Sequence, residues 1–274
     1  MQLTERDRAI VAAVAEYRIL RRDQIQSLFF PSARTSIRAL ARLYHHRYLA
    51  RLRPYVEWGR GDSPTIYTLD KDGIALLSGS ASTTSRHPWH KAPGRYFLAH
   101  TLALNDVRIA VTLAAAQHGI VLERWIGEDE FRRQPDMLTC EVPGKGRVTR
   151  AIRPDAACVL KQPHYTSRLL VEIDMATEDN RRFVREKVRP GVAYLASEAY
   201  KQRFGFQSGR WLVITTSAQR LHNMKRATEA AVGRAAAVFY FTTFSQVRVA
   251  TILTTPIWWR GGEARPCALL KHSA

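Results

Sequence analysis

The sequence predicts an α+β chain of two domains, a small helical one followed by a mixed-sheet α/β one. Three observations lead there: helical periodicity with one short hairpin over residues 1–77, a Ser/Thr/Gly/Pro-rich stretch at 78–94, and alternating helix and strand patterns from residue 95 onward. The 274 residues suit two domains of ordinary size, and an apolar content of 46% is enough to build their cores.

In the first domain, Thr4 followed three residues later by Asp7 has the pattern of a capping box, and Ile10, Val11 and Val14 continue at helical spacing. A short second helix over "RDQIQSLFF" stops at Pro31, and Ser32 caps a third, "ARTSIRALARLYHHRY". On this third helix Ile37, Leu40, Ala41 and Tyr44 are spaced as a core face, while Arg34, Arg38 and Arg42 recur every four residues on another. "YLARLRPYV" and "TIYTLD" then read as strands around the turn "WGRGDSP", with the short helix "KDGIALL" behind them. Helix, helix, basic helix, hairpin is the order of a winged helix-turn-helix. Such a domain would lay its third helix in a DNA major groove, presenting Arg34, Thr35, Arg38 and Arg42. The hairpin, as a wing, would bring Arg51, Arg53 and Arg60 to the neighbouring backbone or minor groove. The competing readings are a merely solvated basic face and a protein-docking module.

Residues 78–94 form the expected linker. The second domain, 95–274, opens with the long helix "YFLAHTLALNDVRIAVTLAAAQHG", closed by Gly119. "IVLERWIG" reads as a strand, and 128–147 has no clear pattern. "AIRPDAACVLK" and "SRLLVEIDM" are consecutive strands, expected to be antiparallel. A helix with a kink or restart at Pro190 follows, then the strand "RWLVITT", the helix "AQRLHNMKRATEAAV" and the strand "VFYFTTFSQV". Their sum is a mixed sheet flanked by helices.

A formal charge of +18 and a pI near 10.4 favour a polyanionic partner, foremost double-stranded DNA. The charged N-terminus "MQLTERDRAI" lacks a signal-peptide core, and no apolar run approaches the ~20 residues of a membrane span, so a cytoplasmic protein with no membrane partner is expected. Cys140, Cys158 and Cys267 are scattered, which argues against a disulfide framework and a thiolate zinc site. There is no Walker-type loop, and no Ser-His-Asp or Cys-His arrangement. His45, His46, His87 and His90 are not assigned as ligands. Trp258 and Trp259 are read as core or interface aromatics rather than base-stacking platforms.

"RLLVEIDMAT" (168–177) carries the chemistry. Glu172 and Asp174 sit two apart on an otherwise apolar strand, so both project from one face, where like charges repel. Antiparallel pairing would bring Asp155, at the start of the preceding strand, close to both. Three converging carboxylates suit Mg²⁺ or Mn²⁺, which would relieve the repulsion, polarise a phosphodiester and activate water. Lys187 on the following helix would steady developing negative charge, and Arg181, Arg185 and Arg189 would lead DNA phosphates toward the site. The plainer alternative pairs each carboxylate with Arg153, Arg168, Arg181 or Arg182.

Asp155 after Pro154, a strand-to-strand gap and then Glu172 resemble the core of the PD-(D/E)xK nuclease superfamily. The sequence departs from that pattern at the usual Lys position, which here is Asp174. The resemblance implies catalytic roles for Asp155, Glu172, Asp174 and a relocated Lys187. It adds Asp106 as a further metal ligand on the first core helix, with His100 nearby. The whole chain resembles the replication-relaxation proteins of bacterial plasmids and integrative elements. "LTERDRAIVAAVAEYRIL", "H-x-L-x-x-ND-V-R", "RPDA…VEID-x-x-TE…K" and the C-terminal "PIWW" before a basic tail carry this likeness. It implies duplex binding and a nuclease-like second domain that works in replication or DNA relaxation beside replication or conjugation proteins. The alternative is a non-catalytic regulator or accessory factor, whose second domain would dimerise or dock a partner.

Overall fold

The Thr4–Asp7 capping box forms. Thr4 Oγ1 accepts from the Asp7 N–H at 3.2 Å and the Asp7 carboxylate accepts from the Thr4 N–H at 3.0 Å, starting α1 (Glu5–Tyr17). The computed structural model describes residues 2–52, 65–78, 94–142 and 146–270, so the expected linker, apart from Ser78 and Gly94, lies outside the described residues. The chain divides into two compact units, Met1–Ile109 and Ala110–Ala274.

In the first unit α1 leads to a two-residue strand β1 (Leu20–Arg21), then α2 (Arg22–Phe29), α3 (Ala33–His45), β2 (Leu49–Leu52), β3 (Ile66–Leu69) and α4 (Lys71–Ser78). The three strands form an antiparallel sheet in the order β1-β3-β2. Two residues are too few to show a strand period, so β1 leaves no signal in the sequence. The face that α3 buries differs from the expected one. Ser36, Leu40 and Leu43 are buried, whereas Ile37 and Tyr44 are 46% and 38% exposed. Ser36 can face the core because its hydroxyl donates to the Ala33 carbonyl at 2.8 Å, which satisfies it locally.

The division between units falls inside α5 (Arg95–Gln117), rather than in the 78–94 stretch. The first part of α5 packs Leu98 and Leu102 with Ile19 and Ile66, and Asn105 Nδ2 donates to the Ile19 carbonyl at 2.7 Å. These contacts join to the first unit residues that sequence composition assigns to the second. By length and composition α5 is the one described helix that meets the test for crossing a membrane. Its middle carries Asn105, Asp106 and Arg108, which are bound to Ile19, Arg21 and Glu16 as in a core helix. Gly119, at φ +64°, closes it in the left-handed conformation that favours glycine.

The second unit is built on a six-stranded mixed sheet. Its strands are β4 (Val121–Gly127), β7 (Ala156–Lys161), β8 (Thr166–Asp174), β9 (Arg210–Thr215), β10 (Phe239–Thr243) and β11 (Trp259–Arg260), in the order β11-β10-β9-β8-β7-β4. β8, β9 and β10 are parallel, and β7 is antiparallel to β8 as expected. The unpatterned stretch after β4 is a short helix α6 (Glu128–Arg133), then a separate hairpin of β5 (Asp136–Val142) and β6 (Gly146–Ile152). The helix expected to kink or restart at Pro190 consists of α7 (Asn180–Phe183), a π-helical turn (Val184–Val188), α8 (Arg189–Leu195) and, after a further break, α9 (Glu198–Phe204). Proline has no N–H to donate and clashes with the carbonyl four residues back. The wider turn, with Arg189 N–H reaching the Val184 carbonyl, absorbs that misfit. The last long helix is α10 (Ala218–Val232). Trp258 is fully buried with its indole N–H on the Ile252 carbonyl, so it belongs to the core.

Candidate functional site

In the second unit, antiparallel pairing sets Ala156 opposite Val171, so the residue before β7 meets the last residues of β8. Asp155 is pinned there twice. Its N–H donates to the Val171 carbonyl at 3.1 Å, and its Oδ2 accepts from the Ile173 N–H at 2.7 Å. Glu172, 8% exposed, lies between those two partners on β8. Lys187 reaches it from the π turn, with Nζ 2.5 Å from Glu172 Oε1. Burial alone would lower the lysine's pKa, but the charges of Glu172 and Asp155 outweigh it and hold the ammonium above the usual lysine range. Two carboxylates and one lysine, from a strand start, a strand end and a helix, therefore converge.

Asp174 goes elsewhere. Arg220, in the first turn of α10, grips both its oxygens at 3.0 Å, and Thr215 Oγ1 donates to Oδ2 at 2.5 Å. Arg220 also holds the Glu178 carbonyl at 2.6 Å, closing the loop after β8 in which Ala176 adopts φ 57°. The three-carboxylate cluster expected from sequence thus reduces to Asp155 and Glu172. Among the described residues no group of three or more His, Cys, Asp or Glu is arranged to hold a metal. Nothing in the sequence marks Arg220, which lies 46 positions beyond Asp174.

Asp106 and His100 belong to the first unit, where Arg21 Nη2 and Gln24 Nε2 donate to Asp106 Oδ1 at 2.8 and 2.7 Å. His100 stacks beside Tyr96.

A cavity of about 810 Å³ opens beside Lys187, lined by Arg150, Arg153 and Arg185 and floored by Gly191 and Trp211. Arg150 lies on β6 and Arg153 just beyond its end. Arg181, Arg185 and Arg189 are all exposed, but the π turn takes Arg189 off the α-helical row the sequence suggested.

In the first unit, α3 turns Arg34, Thr35, Ile37 and Arg38 outward. Thr35 is partly engaged, its hydroxyl donating to the Ser32 carbonyl at 2.9 Å. Arg42, predicted as a DNA contact, is 46% exposed at its side chain and is also paired within the protein. Its Nη2 donates to both oxygens of Asp7 at 2.7 and 2.6 Å, and the Asp7 side chain is only 2% exposed. Burial pushes the Asp7 carboxyl up, but hydrogen bonds from Arg42 and Thr4 outweigh it and hold it below the usual carboxylate range. Arg51 stacks on the Tyr44 ring at 4.2 Å. Arg53 and Arg60 lie outside the described residues.

Among known proteins, the family model described as Replication-relaxation matches residues 11–208. No curated protein and no solved structure matches the chain.

Proposed function

The chain belongs to the replication-relaxation family, and on that premise we propose that it binds double-stranded DNA in the replication or relaxation of a plasmid or other mobile element. The first unit is then a winged helix-turn-helix. Its order of helix, short strand, two helices and hairpin supports this, and Arg34, Ile37 and Arg38 on α3 would meet phosphates and base edges. Arg51 would brace the base of the wing. A duplex titrated by fluorescence anisotropy tests it. Affinity should fall steeply with salt and fall again in Arg38→Ala; equal binding by both proteins would remove α3 from the interface.

We further propose that the second unit is a PD-(D/E)xK-like core that nicks DNA with one Mg²⁺ or Mn²⁺. The observation that carries this is the convergence of Asp155, Glu172 and Lys187. The donor set fits. Mg²⁺ takes one or two carboxylates and completes its shell with water and phosphate oxygens, and Asp155 and Glu172 supply two. When bound, the ion would polarise a phosphodiester and lower the pKa of a water. Lys187 would hold positive charge against the phosphate, while Arg150, Arg153 and Arg185 would draw the backbone into the cavity.

One observation favours a second reading. Arg220 occupies Asp174, leaving one carboxylate fewer than the expected set, as suits a non-cutting regulator or accessory factor. That version calls for a symmetric dimer with α3 helices about 34 Å apart.

A further inference from the structure

At the other end of β8 from Glu172 lies a second pocket of about 790 Å³, with Arg168, Arg210, Tyr240, Arg260 and Cys267 on its walls. Arg168 precedes Glu172 by four residues, which at strand spacing is about 13 Å, so this is not the carboxylate site. The guanidiniums are held in a particular way. Arg168 donates to the Phe204 carbonyl at 2.9 Å, Arg210 to Leu269 at 2.7 Å and Arg260 to Ala237 at 2.9 Å. Arg210 and Arg260 also face the Tyr240 ring, at 5.6 and 5.9 Å. Carbonyls and an aromatic face orient these cations, no salt bridge to them is formed among the described residues, and each arginine has N–H donors to spare.

Arg210, Arg260 and Arg265 stand against the single carboxylate of Glu263 on these walls, which leaves the pocket net positive and suited to an anion. Ser167, 5% exposed on the same wall, carries a hydroxyl oxygen with no hydrogen-bond partner among the described residues. Such a group is costly to bury and is satisfied when a ligand supplies an acceptor. Outside the pocket, Arg168 lies over the ring of Phe206, which is 63% exposed and suited to stack on a base.

We propose that this pocket binds the phosphoryl groups of a nucleotide, either a free nucleoside polyphosphate or the 5′-phosphate end of a DNA strand, through Arg210 and Arg260, with Arg168 and Phe206 at its rim. Fixed arginine forks match phosphate oxygens, and the volume falls within the range of small-ligand sites. The proposal is independent of the nicking reading, since no carboxylate of that site takes part.

Cys267 provides a probe, since it lines the pocket while Cys158 is buried and serves as the internal reference. The full chain is alkylated at chloride-matched ionic strength with pyrophosphate, ATP, a 5′-phosphorylated single strand or the same strand unphosphorylated, and modification is read by peptide mass spectrometry. A phosphoryl ligand at roughly ten times its Kd should slow alkylation of Cys267 about tenfold. Arg210→Gln and Arg260→Gln should each raise the half-protecting concentration by about tenfold or more. Protection by pyrophosphate and ATP assigns the site to free nucleotides; protection by the phosphorylated strand alone assigns it to DNA ends. Absence of protection in the wild type, which needs no substitution to observe, overturns the proposal. So does protection that is equal for the two strands and unchanged by both substitutions.

Discussion

Lys187 Nζ lies 2.5 Å from Glu172 Oε1, and it reaches that carboxylate from a π turn that Pro190 forces on the helix. The side chain of Glu172 is 10% exposed and that of Lys187 30%, so removing the cation strands a buried carboxylate. Lys187→Met should therefore cost about 3 kcal/mol, the lower end for breaking a buried pair because Lys187 is partly solvated. Urea unfolding of the two proteins measures the difference.

The same pair sets a behaviour at high pH. Lys187 has its pKa raised in the folded state, so its contribution is complete below the ordinary lysine value of about 10.4 and is lost as pH rises past it. Wild type should lose stability on that alkaline limb more steeply than Lys187→Met, as thermal melts at pH 8 to about 11.5 would reveal. Parallel curves would mean that the pair is not formed in solution.

Arg38 and Arg42 lie four residues apart on α3 and should separate cleanly. Arg42→Ala leaves the buried Asp7 without its bidentate partner and should cost roughly 2 kcal/mol of stability. Arg38→Ala should leave the melting temperature within about a degree, as exposed substitutions do, yet weaken duplex binding. One thermal melt and one anisotropy titration per variant decide it.

Asp7 titrates with the opposite sign. Its pKa is lowered on folding, so its contribution is present above about 3.9 and is lost as pH falls below that value. Asp7→Asn should flatten the acid limb of the stability curve and leave the alkaline limb unchanged.

Arg220→Gln should release Asp174, whose side chain is 9% exposed, together with the loop that carries Glu178. A loss of about 3 kcal/mol is expected, with faster amide exchange over residues 175–180 as the local signature.

Much of this was legible in the sequence because the signals were local. The Thr4–Asp7 box, the Gly119 stop and the antiparallel β7–β8 pair each depend on residues close in the chain, and that pair brought Asp155 to Glu172. What escaped depends on partners distant in sequence. Arg42 keeps the spacing of a DNA-facing stripe, and its pairing with Asp7, 35 residues earlier, left no signal. Asp174 shares a strand face with Glu172, yet it pairs with Arg220, 46 residues on. The buried face of α3 departs from its apolar spacing because a self-satisfied Ser36 faces the core while apolar Ile37 faces out. The first part of α5 follows the linker in sequence but packs with the first unit, a choice made by Asn105 and Leu102 rather than by composition.

The most direct test of the Asp155–Glu172–Lys187 centre is conversion of a supercoiled plasmid with Mg²⁺ or Mn²⁺ by wild type and by Glu172→Gln, which keeps the side chain's shape and removes its charge. Open circles from the wild type and none from the variant, with both binding the plasmid equally, is the result this account predicts. Binding by both proteins and cutting by neither, with either metal, would contradict it and leave Glu172 and Lys187 as a structural ion pair in a DNA-binding accessory factor.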